Sequence, residues 1–401
     1  MTTETSGIAR DAGTAFSLGE GDLWFASPDW QWHVSQADLG LAAHVPASGE
    51  ALAALFAQAR AQGRTHAGTV FGLVPFDARR PASLSLPERL TRRPVSAAET
   101  AAAGAALHAA SHTRRARVQS REPLPAPEVY GDAVRAALRR YAAGTAEKIV
   151  LARAMDVQLD TPLALTTVMA DLQARNRHGY TFALPAWQAD ASGRLQRAGT
   201  MLAASPELLV RREGARIHVN PLAGSIGRHA DPAIDAARRE GLAVSPKDLH
   251  EHAFVVRDIV RILTPLCASL EVPDGPSVIG TDALWHLSTD IHATLAEPRP
   301  TALDVALALH PTPAVCGQPT AVAFDAIAEL EPFDREYYAG LAGWQHENGD
   351  GEWVLTLRCA FQSAPDRLRL YAGAGTVAGS DPEAEILETA TKMETFMRAI
   401  T

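Results

Sequence analysis

The chain has 401 residues, a hydrophobic fraction of 47% and a formal net charge of −9 at pH 7, so it can bury a substantial core. No stretch approaches the roughly 18 consecutive apolar residues of a membrane span, and the first residues lack the pattern of an export signal, so we expect a cytoplasmic protein. The acidic balance argues against nucleic acid or an anionic membrane as a partner. Three cysteines without CxxC spacing indicate neither a zinc site nor a disulfide framework.

The predicted elements begin with short apolar stretches separated by turn signals. Residues 1–120 carry no recognisable chemistry, and we interpret them as an architectural part of the same fold. The basic, proline-containing segment 111–127 is typical of a solvated connection. A helical pattern that ends near Gly144 follows it, and we expect residues 121–401 to form the catalytic core.

Strand and helix patterns alternate after Gly144. The predicted strands are 148–159, 180–184 and 200–204, and the predicted helices are 165–176, 246–263 and 382–400. Ser245 and Pro246 are typical of an N-cap and a first helical residue. Two hairpins are predicted, one within 208–219 and one that pairs 353–361 with 367–375. These elements predict an α+β fold, a single large domain in which extensive mixed and antiparallel sheets are flanked by helices.

The basic residues are chosen unevenly, because 34 are arginine and three are lysine, namely Lys148, Lys247 and Lys392. Arginine keeps its proton at any accessible pH, whereas burial or a nearby cation lowers the pKa of lysine. Each lysine therefore deserves inspection, although chance retention is the alternative. We interpret Lys247 as structural.

Three charged side chains share one face of the last predicted helix, since Glu385, Glu388 and Lys392 are spaced at i, i+3 and i+7. Alone, they are typical of a solvated face with an ion pair worth about 0.3–0.5 kcal/mol. Glu251 lies in a helix whose neighbours are apolar on nearly every side, so we expect that helix to be largely buried. A buried carboxylate needs a cation or hydrogen-bond donors, and a magnesium ion shared with the C-terminal glutamates would supply the charge.

Glu207 and Lys148 are the candidate acid and base. Glu207 follows an apolar strand, and an apolar environment raises the pKa of a carboxyl group into the range of a general acid. Lys148 begins the apolar string KIVLARA, where lost hydration lowers the pKa of an amine towards that of a general base. A surface glutamate and a strand-end lysine remain the alternatives.

Two glycine-containing segments and one arginine predict a binding site for an anion. PLAGSIGR, residues 221–228, and AGAG, residues 372–375, follow strand patterns, and their backbone N–H groups can approach a ligand closely. Arg358 lies in the predicted strand that pairs with the one leading to AGAG, and its guanidinium suits a carboxylate. Alone, each glycine segment is equally typical of a turn or bulge.

Ten short strings occur in one order between residues 148 and 392. They are KIVLARA, ASPELLV, NPLAGS, SPKDLHEH, LWHLST, HPTPAVCG, LEPFDREYYAGLAGW, TLRCA, YAGAGTV and EAEILETATK. The ordered set resembles the chorismate-utilising enzymes, a family that includes isochorismate, salicylate, anthranilate and aminodeoxychorismate synthases. The resemblance implies the family's fold, Mg²⁺ as cofactor, chorismate as substrate and a monomer.

Two positions narrow the implied reaction. Lys148 stands where the isochorismate and salicylate enzymes place a general base and the anthranilate enzymes typically have glutamine. Ala223 stands where aminodeoxychorismate synthases typically carry a lysine nucleophile. Attack by water rather than ammonia is therefore implied, and neither a fused glutaminase domain nor a glutaminase subunit is expected.

The resemblance implies an isomerase that converts chorismate to isochorismate for siderophore or menaquinone synthesis. Lys148 would deprotonate a water that attacks ring C2, and Glu207 would protonate the departing C4 hydroxyl. The implied magnesium ligands are Glu251, Glu385 and Glu388. The implied substrate-binding residues are Gly224, Ser225, His286, Thr289, Arg358, Gly373, Gly375 and Lys392. A salicylate synthase, which also eliminates pyruvate, is the alternative, and a non-catalytic chorismate-binding or aminase subunit is a more remote one.

Overall fold

The structure is a computed structural model that describes residues 8–9, 17–95, 116–281 and 284–401. The α-helices of these residues are α1 (Gly49–Ala61), α2 (Pro127–Ala142), α3 (Leu165–Arg175), α4 (Pro232–Val244), α5 (Pro246–Leu263), α6 (Ala302–Leu309), α7 (Thr320–Leu330) and α8 (Pro382–Ile400). None of them is long and apolar enough to cross a membrane.

The largest sheet has eleven strands, which come from both ends of the chain. In spatial order they are β1 (Ile8–Ala9), β7 (Leu90–Pro94), β3 (Trp30–Val34), β2 (Leu23–Ala26), β10 (Tyr180–Ala189), β11 (Leu195–Ser205), β22 (Cys359–Ala364), β23 (Arg367–Val377), β9 (Lys148–Leu159) and β19 (Gly317–Gln318), with β8 (Val118–Leu124) also paired to β9. The pairs are antiparallel except that of β1 with β7.

A second sheet has nine strands and a small sheet has three. The second sheet runs through β15 (Cys267–Glu271), β18 (Ile291–Leu295), β13 (Arg216–Asn220), β12 (Leu208–Glu213), β21 (Gly351–Leu355), β20 (Leu341–His346), β5 (Thr69–Val74), β6 (Ala82–Leu86) and β4 (Leu41–Val45). The small sheet contains β14 (Leu222–Gly227), β17 (Leu284–Ser288) and β16 (Ser277–Gly280). Both large sheets thus combine strands from before and after residue 120, and the α+β single-domain fold is confirmed.

The central strands of the largest sheet are buried on both faces. Because side chains alternate across a strand, Phe182 packs into the core that also includes Trp353 of the second sheet. Its neighbour Ala183 packs into the other core, which includes Met169 of α3 and Phe396 of α8. Burial on both faces explains why the sequences of these strands are continuously apolar.

Several predicted elements are confirmed at their expected bounds. β9 spans Lys148–Leu159, and α8 spans Pro382–Ile400. In α5, Pro246 occupies the first helical position and the Ser245 side chain accepts a hydrogen bond from the Asp248 backbone N–H. Local propensity and caps were sufficient for these elements because each presents a strong periodic pattern.

Three expectations about local structure are wrong. The predicted solvated connection contains β8, which pairs with β9; the part of that segment before residue 116 lies outside the described residues. The predicted strand 353–361 is interrupted, because β21 ends in the second sheet and β22 begins in the largest sheet, with Arg358 between them at a φ of 48°. α5 buries one face rather than most of its surface, and Arg257 on it is exposed.

A buried ion pair is hydrogen-bonded to the backbone near the start of β9. The Arg335 guanidinium lies 2.6 Å from the Glu331 carboxylate, and both side chains are 3% exposed. Arg335 also donates hydrogen bonds to the carbonyl oxygens of Val150, at 2.6 Å, and Val315, at 3.0 Å. Glu331 accepts the Ala152 backbone N–H at 2.7 Å. The pair therefore fixes β9 and the segment around Val315 relative to each other.

We expect Glu331→Ala to lower the free energy of unfolding by about 3–5 kcal/mol, because it leaves a buried guanidinium without its counter-charge. Urea denaturation measures the change. Glu329→Ala is the matched control: Glu329 pairs with Arg140 at 2.6 Å but its side chain is 68% exposed, so its loss should cost less than about 1 kcal/mol. Equal losses in the two variants would contradict this role.

Candidate active site

A cavity of about 130 Å³ opens where the small sheet, α5, α8 and the ends of β9 and β23 meet. It brings together most of the residues that the sequence predicts for the site. Those in its lining are Glu207, Gly224, Ser225, Glu251, His286, Arg358, Gly373, Gly375, Glu385, Glu388 and Lys392. Charged, hydrogen-bonding and glycine residues thus converge on one space from widely separated parts of the sequence.

Lys148 is not part of the cavity lining, but it contacts the lining residue Glu251. The Lys148 side chain is 1% exposed, and its Nζ lies 2.8 Å from Glu251 Oε1. Burial raises the pKa of Glu251, but the charge of Lys148 and its hydrogen bond outweigh burial, and the pKa is lowered from its ordinary value. The two side chains form a buried ion pair at the start of β9.

Gly375 makes room for that ion pair. It lies in β23 opposite Val150 of β9. A Cβ atom at this position would lie 3.0 Å from Lys148 Cε and 3.2 Å from Glu251 Oε1. Any side chain larger than hydrogen would therefore press on both members of the pair.

Glu207 is a buried carboxyl group in the short connection between β11 and β12, and it is 4% exposed. The Leu222 backbone N–H donates a hydrogen bond to Oε1 at 3.3 Å. Burial raises the pKa of Glu207 to about 8, although that hydrogen bond and the charges of Lys148 and Arg358 oppose the shift. The group is therefore largely protonated at neutral pH and can donate a proton.

The first turns of α8 carry the remaining carboxylates. Glu388 pairs with Lys392 at 2.6 Å, and Lys392 Nζ also donates a hydrogen bond to the Gly373 carbonyl oxygen at 2.9 Å. Glu385 is 6% exposed. Burial raises its pKa, and the nearby charge of Glu388 adds to the shift.

Glu251, Glu385 and Glu388 are the residues that fit a divalent cation. All three offer carboxylate oxygens, the donors that Mg²⁺ prefers, and the buried Oε2 of Glu385 has no hydrogen-bond partner among the residues that the structure describes. Within the described ranges, no three His, Cys, Asp or Glu side chains are gathered closely enough to form a metal-binding group. The magnesium site therefore stays a prediction, and its support is the carboxylate chemistry of these three side chains.

His286 and Gly224 line the wall formed by the small sheet. Burial, together with the charges of Arg358 and Lys392, lowers the pKa of His286 to about 3, so its ring is neutral. Its buried Nε2 has no hydrogen-bond partner within the described part of the chain. Gly224, at a φ of 75°, lies where the pairing of β14 with β17 shifts register, and this bulge opens the strand towards the cavity.

Arg358 occupies the bend between β21 and β22. The left-handed backbone at this bend is uncommon for a residue with a side chain, and the Ala204 N–H donates to the Arg358 carbonyl oxygen at 3.1 Å. Burial lowers the pKa of the guanidinium, while nearby Tyr338, Glu388 and Glu207 oppose the shift. The interruption of the predicted strand thus directs this arginine into the cavity lining.

Thr289 lies outside the cavity lining. It is buried, and its hydroxyl lies 2.7 Å from Nε2 of His252. His252 Nδ1 lies 3.2 Å from the carbonyl oxygen of Ala223. Thr289 therefore contacts His252, the residue that follows Glu251 in α5, and not the cavity itself.

The sequence reasoning missed several lining residues, including Lys247, Asp248 and Tyr338. Lys247, which we interpreted as structural, is among the residues that line the cavity. The available signal was its spacing of i−4 from Glu251, which places both residues on one face of α5. Tyr338 gave no comparable signal, since it is placed by stacking on Tyr371 with ring centroids 5.4 Å apart.

Comparison with known proteins agrees with this geometry. The family model described as chorismate binding enzyme matches residues 86–401. Isochorismate synthase DhbC of Bacillus subtilis is 44% identical over 333 residues, which cover 82% of this chain and 80% of that protein. Isochorismate synthase EntC of Escherichia coli K12 is 38% identical over 346 residues, which cover 86% of this chain and 84% of that protein.

A crystal structure of DhbC from Bacillus anthracis is similar over almost the whole fold. Its TM-score is 0.83 at 38% identity, and the match covers 95% of this chain and 97% of that chain. Family match, sequence identity and fold agree over most of the chain. The chain therefore belongs to the chorismate-binding enzyme family.

Proposed function

We propose that the chain is an isochorismate synthase, an isomerase that converts chorismate to isochorismate. The observation that carries the proposal is a buried carboxyl group, Glu207, whose raised pKa of about 8 suits a general acid. The same cavity is lined by Glu251, which contacts Lys148. The relatives at 38% and 44% identity bear the name isochorismate synthase. A cytoplasmic location and a monomeric state remain predictions from the sequence.

The reaction adds one water and releases another. Lys148 would accept a proton from the water that attacks ring C2, after its ammonium has released a proton to solvent and so given up the ion pair with Glu251. Glu207 would donate its proton to the C4 hydroxyl, which leaves as water while the ring double bonds shift. Because Glu207 is neutral before this step, the proton is available where the leaving group needs it.

Binding a dicarboxylate requires cations and free backbone donors. Arg358 offers a forked guanidinium for the enolpyruvyl carboxylate. The pairing of β22 with β23 ends at Tyr371, so the side of β23 that carries Gly373 and Gly375 has no strand neighbour there among the described residues. Their backbone can therefore approach the same carboxylate.

Magnesium is the cofactor that we propose for this site. Glu251, Glu385 and Glu388 would hold it through carboxylate oxygens. When bound, the ion supplies positive charge that neutralises the ring carboxylate of the substrate. The unpartnered Glu385 Oε2 supports this assignment.

We expect chorismate incubated with the protein and Mg²⁺ to yield isochorismate without matching amounts of salicylate and pyruvate. Chromatography of the products measures the outcome. Chelation of divalent ions should abolish turnover, and added Mg²⁺ should restore it. Salicylate and pyruvate in equal amounts would instead identify a salicylate synthase.

Glu207→Gln should lower kcat by about 10²- to 10⁴-fold, because an amide cannot supply the proton. In the wild type, kcat/KM should fall as the pH rises through about 8, where Glu207 ionises, and the variant should lose this alkaline decline. Glu213→Gln, an exposed position at the end of β12, is the control and should retain wild-type kinetics. A wild-type rate that keeps rising above pH 9 would contradict the acid role.

Gly375→Ala should reduce turnover at least about tenfold, because the added methyl group would displace Lys148 and Glu251 by a few tenths of an ångström or more, and such misplacement is costly in catalysis. Gly379→Ala, in the turn that follows β23, places its Cβ in open space and should be neutral. Steady-state kinetics with thermal melting separates lost activity from lost folding. Full activity in Gly375→Ala would show that the ion pair needs no such clearance.

A further inference from the structure

All three lysines of the chain lie in or next to the lining of the same cavity. Lys247 and Lys392 are lining residues, and Lys148 contacts the lining residue Glu251. Arginine provides the other 34 basic side chains. A compact ammonium differs from a planar guanidinium in size and hydration. We infer that this difference is the reason for lysine rather than arginine at these three positions.

Lys247 differs from the other two lysines in being exposed and unpaired. The side chains of Lys148 and Lys392 are 1% and 12% exposed, whereas Lys247 belongs to the exposed class. No described residue forms a hydrogen bond or ion pair with its ammonium. Its charge nevertheless lowers the pKa of Glu251 and of Glu385, and Lys247 is itself a lining residue, so its ammonium acts on the carboxylates of the cavity.

The position of Lys247 does not stabilise the helix that carries it. Ser245 is the N-cap of α5 and Pro246 its first residue, so Lys247 lies in the first turn. The N-terminal end of a helix carries positive partial charge and disfavours a nearby cation. Helix stability therefore gives no reason for a lysine here.

The negative charge of the protein and of the cavity lining is unfavourable for binding a dianion. The net charge of −9 repels an approaching dianion, and Asp248, Glu251, Glu385 and Glu388 line the cavity. Lys148 and Lys392 already pair with two of these carboxylates. Lys247 is the lysine whose charge is not committed to a direct partner.

We propose that Lys247 captures the substrate at the cavity opening, where its ammonium binds a carboxylate of chorismate on entry. This role rests on the proposed function. Because this role of Lys247 is in substrate capture, its loss should change KM and the dependence of KM on salt. Loss of Lys148 or Glu207 should instead change kcat.

Lys247→Ala should lower kcat/KM about tenfold at low ionic strength through KM, with kcat within about twofold of wild type. Lys247→Glu should lower kcat/KM further. Both deficits should shrink at high salt, because screening removes the wild-type advantage. Thermal melting should show unchanged or higher stability, since the substitutions remove a cation from the helix N-terminus.

Arg257→Ala is the matched control. It removes one exposed cation from the same helix, about 15 Å along the axis, and Arg257 is absent from the cavity lining. It should leave KM and its salt dependence unchanged. The proposal is overturned if Lys247→Ala matches this control, if kcat falls at constant KM, or if the change is in the apparent Mg²⁺ affinity alone.

Two readouts separate this inference from the proposed function. Formation of isochorismate by the wild type tests the proposed function. Calorimetric titration of chorismate into wild type and Lys247→Ala tests capture without turnover, and weaker binding to the variant is expected. Equal chorismate affinity in the two proteins would overturn the role of Lys247 whatever the product of the wild-type reaction.

Discussion

The antiparallel pairing of β9 with β23 is the constraint on which the site depends. It runs without a break from Lys148 opposite Val377 to Gln158 opposite Arg367. The register places the lysine that begins one strand beside the glycine-containing end of the other. The carboxylates of α5 and α8 lie near that end. The buried pair of Arg335 with Glu331 is hydrogen-bonded to the backbone of β9.

Desolvation acts on every ionisable group around the cavity, but the neighbours decide which groups stay charged. Burial dominates at Glu207 and His286, so the carboxyl group and the imidazole are both neutral near pH 7. At Glu251 the ammonium of Lys148 outweighs burial, so that carboxylate is ionised. Two glutamates lining one cavity thus hold opposite protonation states, because their neighbours differ.

The sequence predicted the elements whose signals are local. β9, α5 and α8 carry clear periodicity and caps, and the ordered strings predicted most of the cavity lining. The break between β21 and β22 was not predictable from the sequence pattern, because buried apolar residues lie on both sides of the bend and no turn signal separates them. Pairing of β8 with β9 and the stacking that places Tyr338 on Tyr371 depend on contacts between distant segments, which spacing along the chain does not encode.

The distribution of lysines also has a chemical consequence. Reagents that acylate primary amines usually modify many surface lysines of a protein, whereas two of the three here are buried. Lys247 is the lysine in the exposed class, so acylation of lysine would favour it over the other two. A fluorophore attached to its side chain would therefore lie next to the cavity lining.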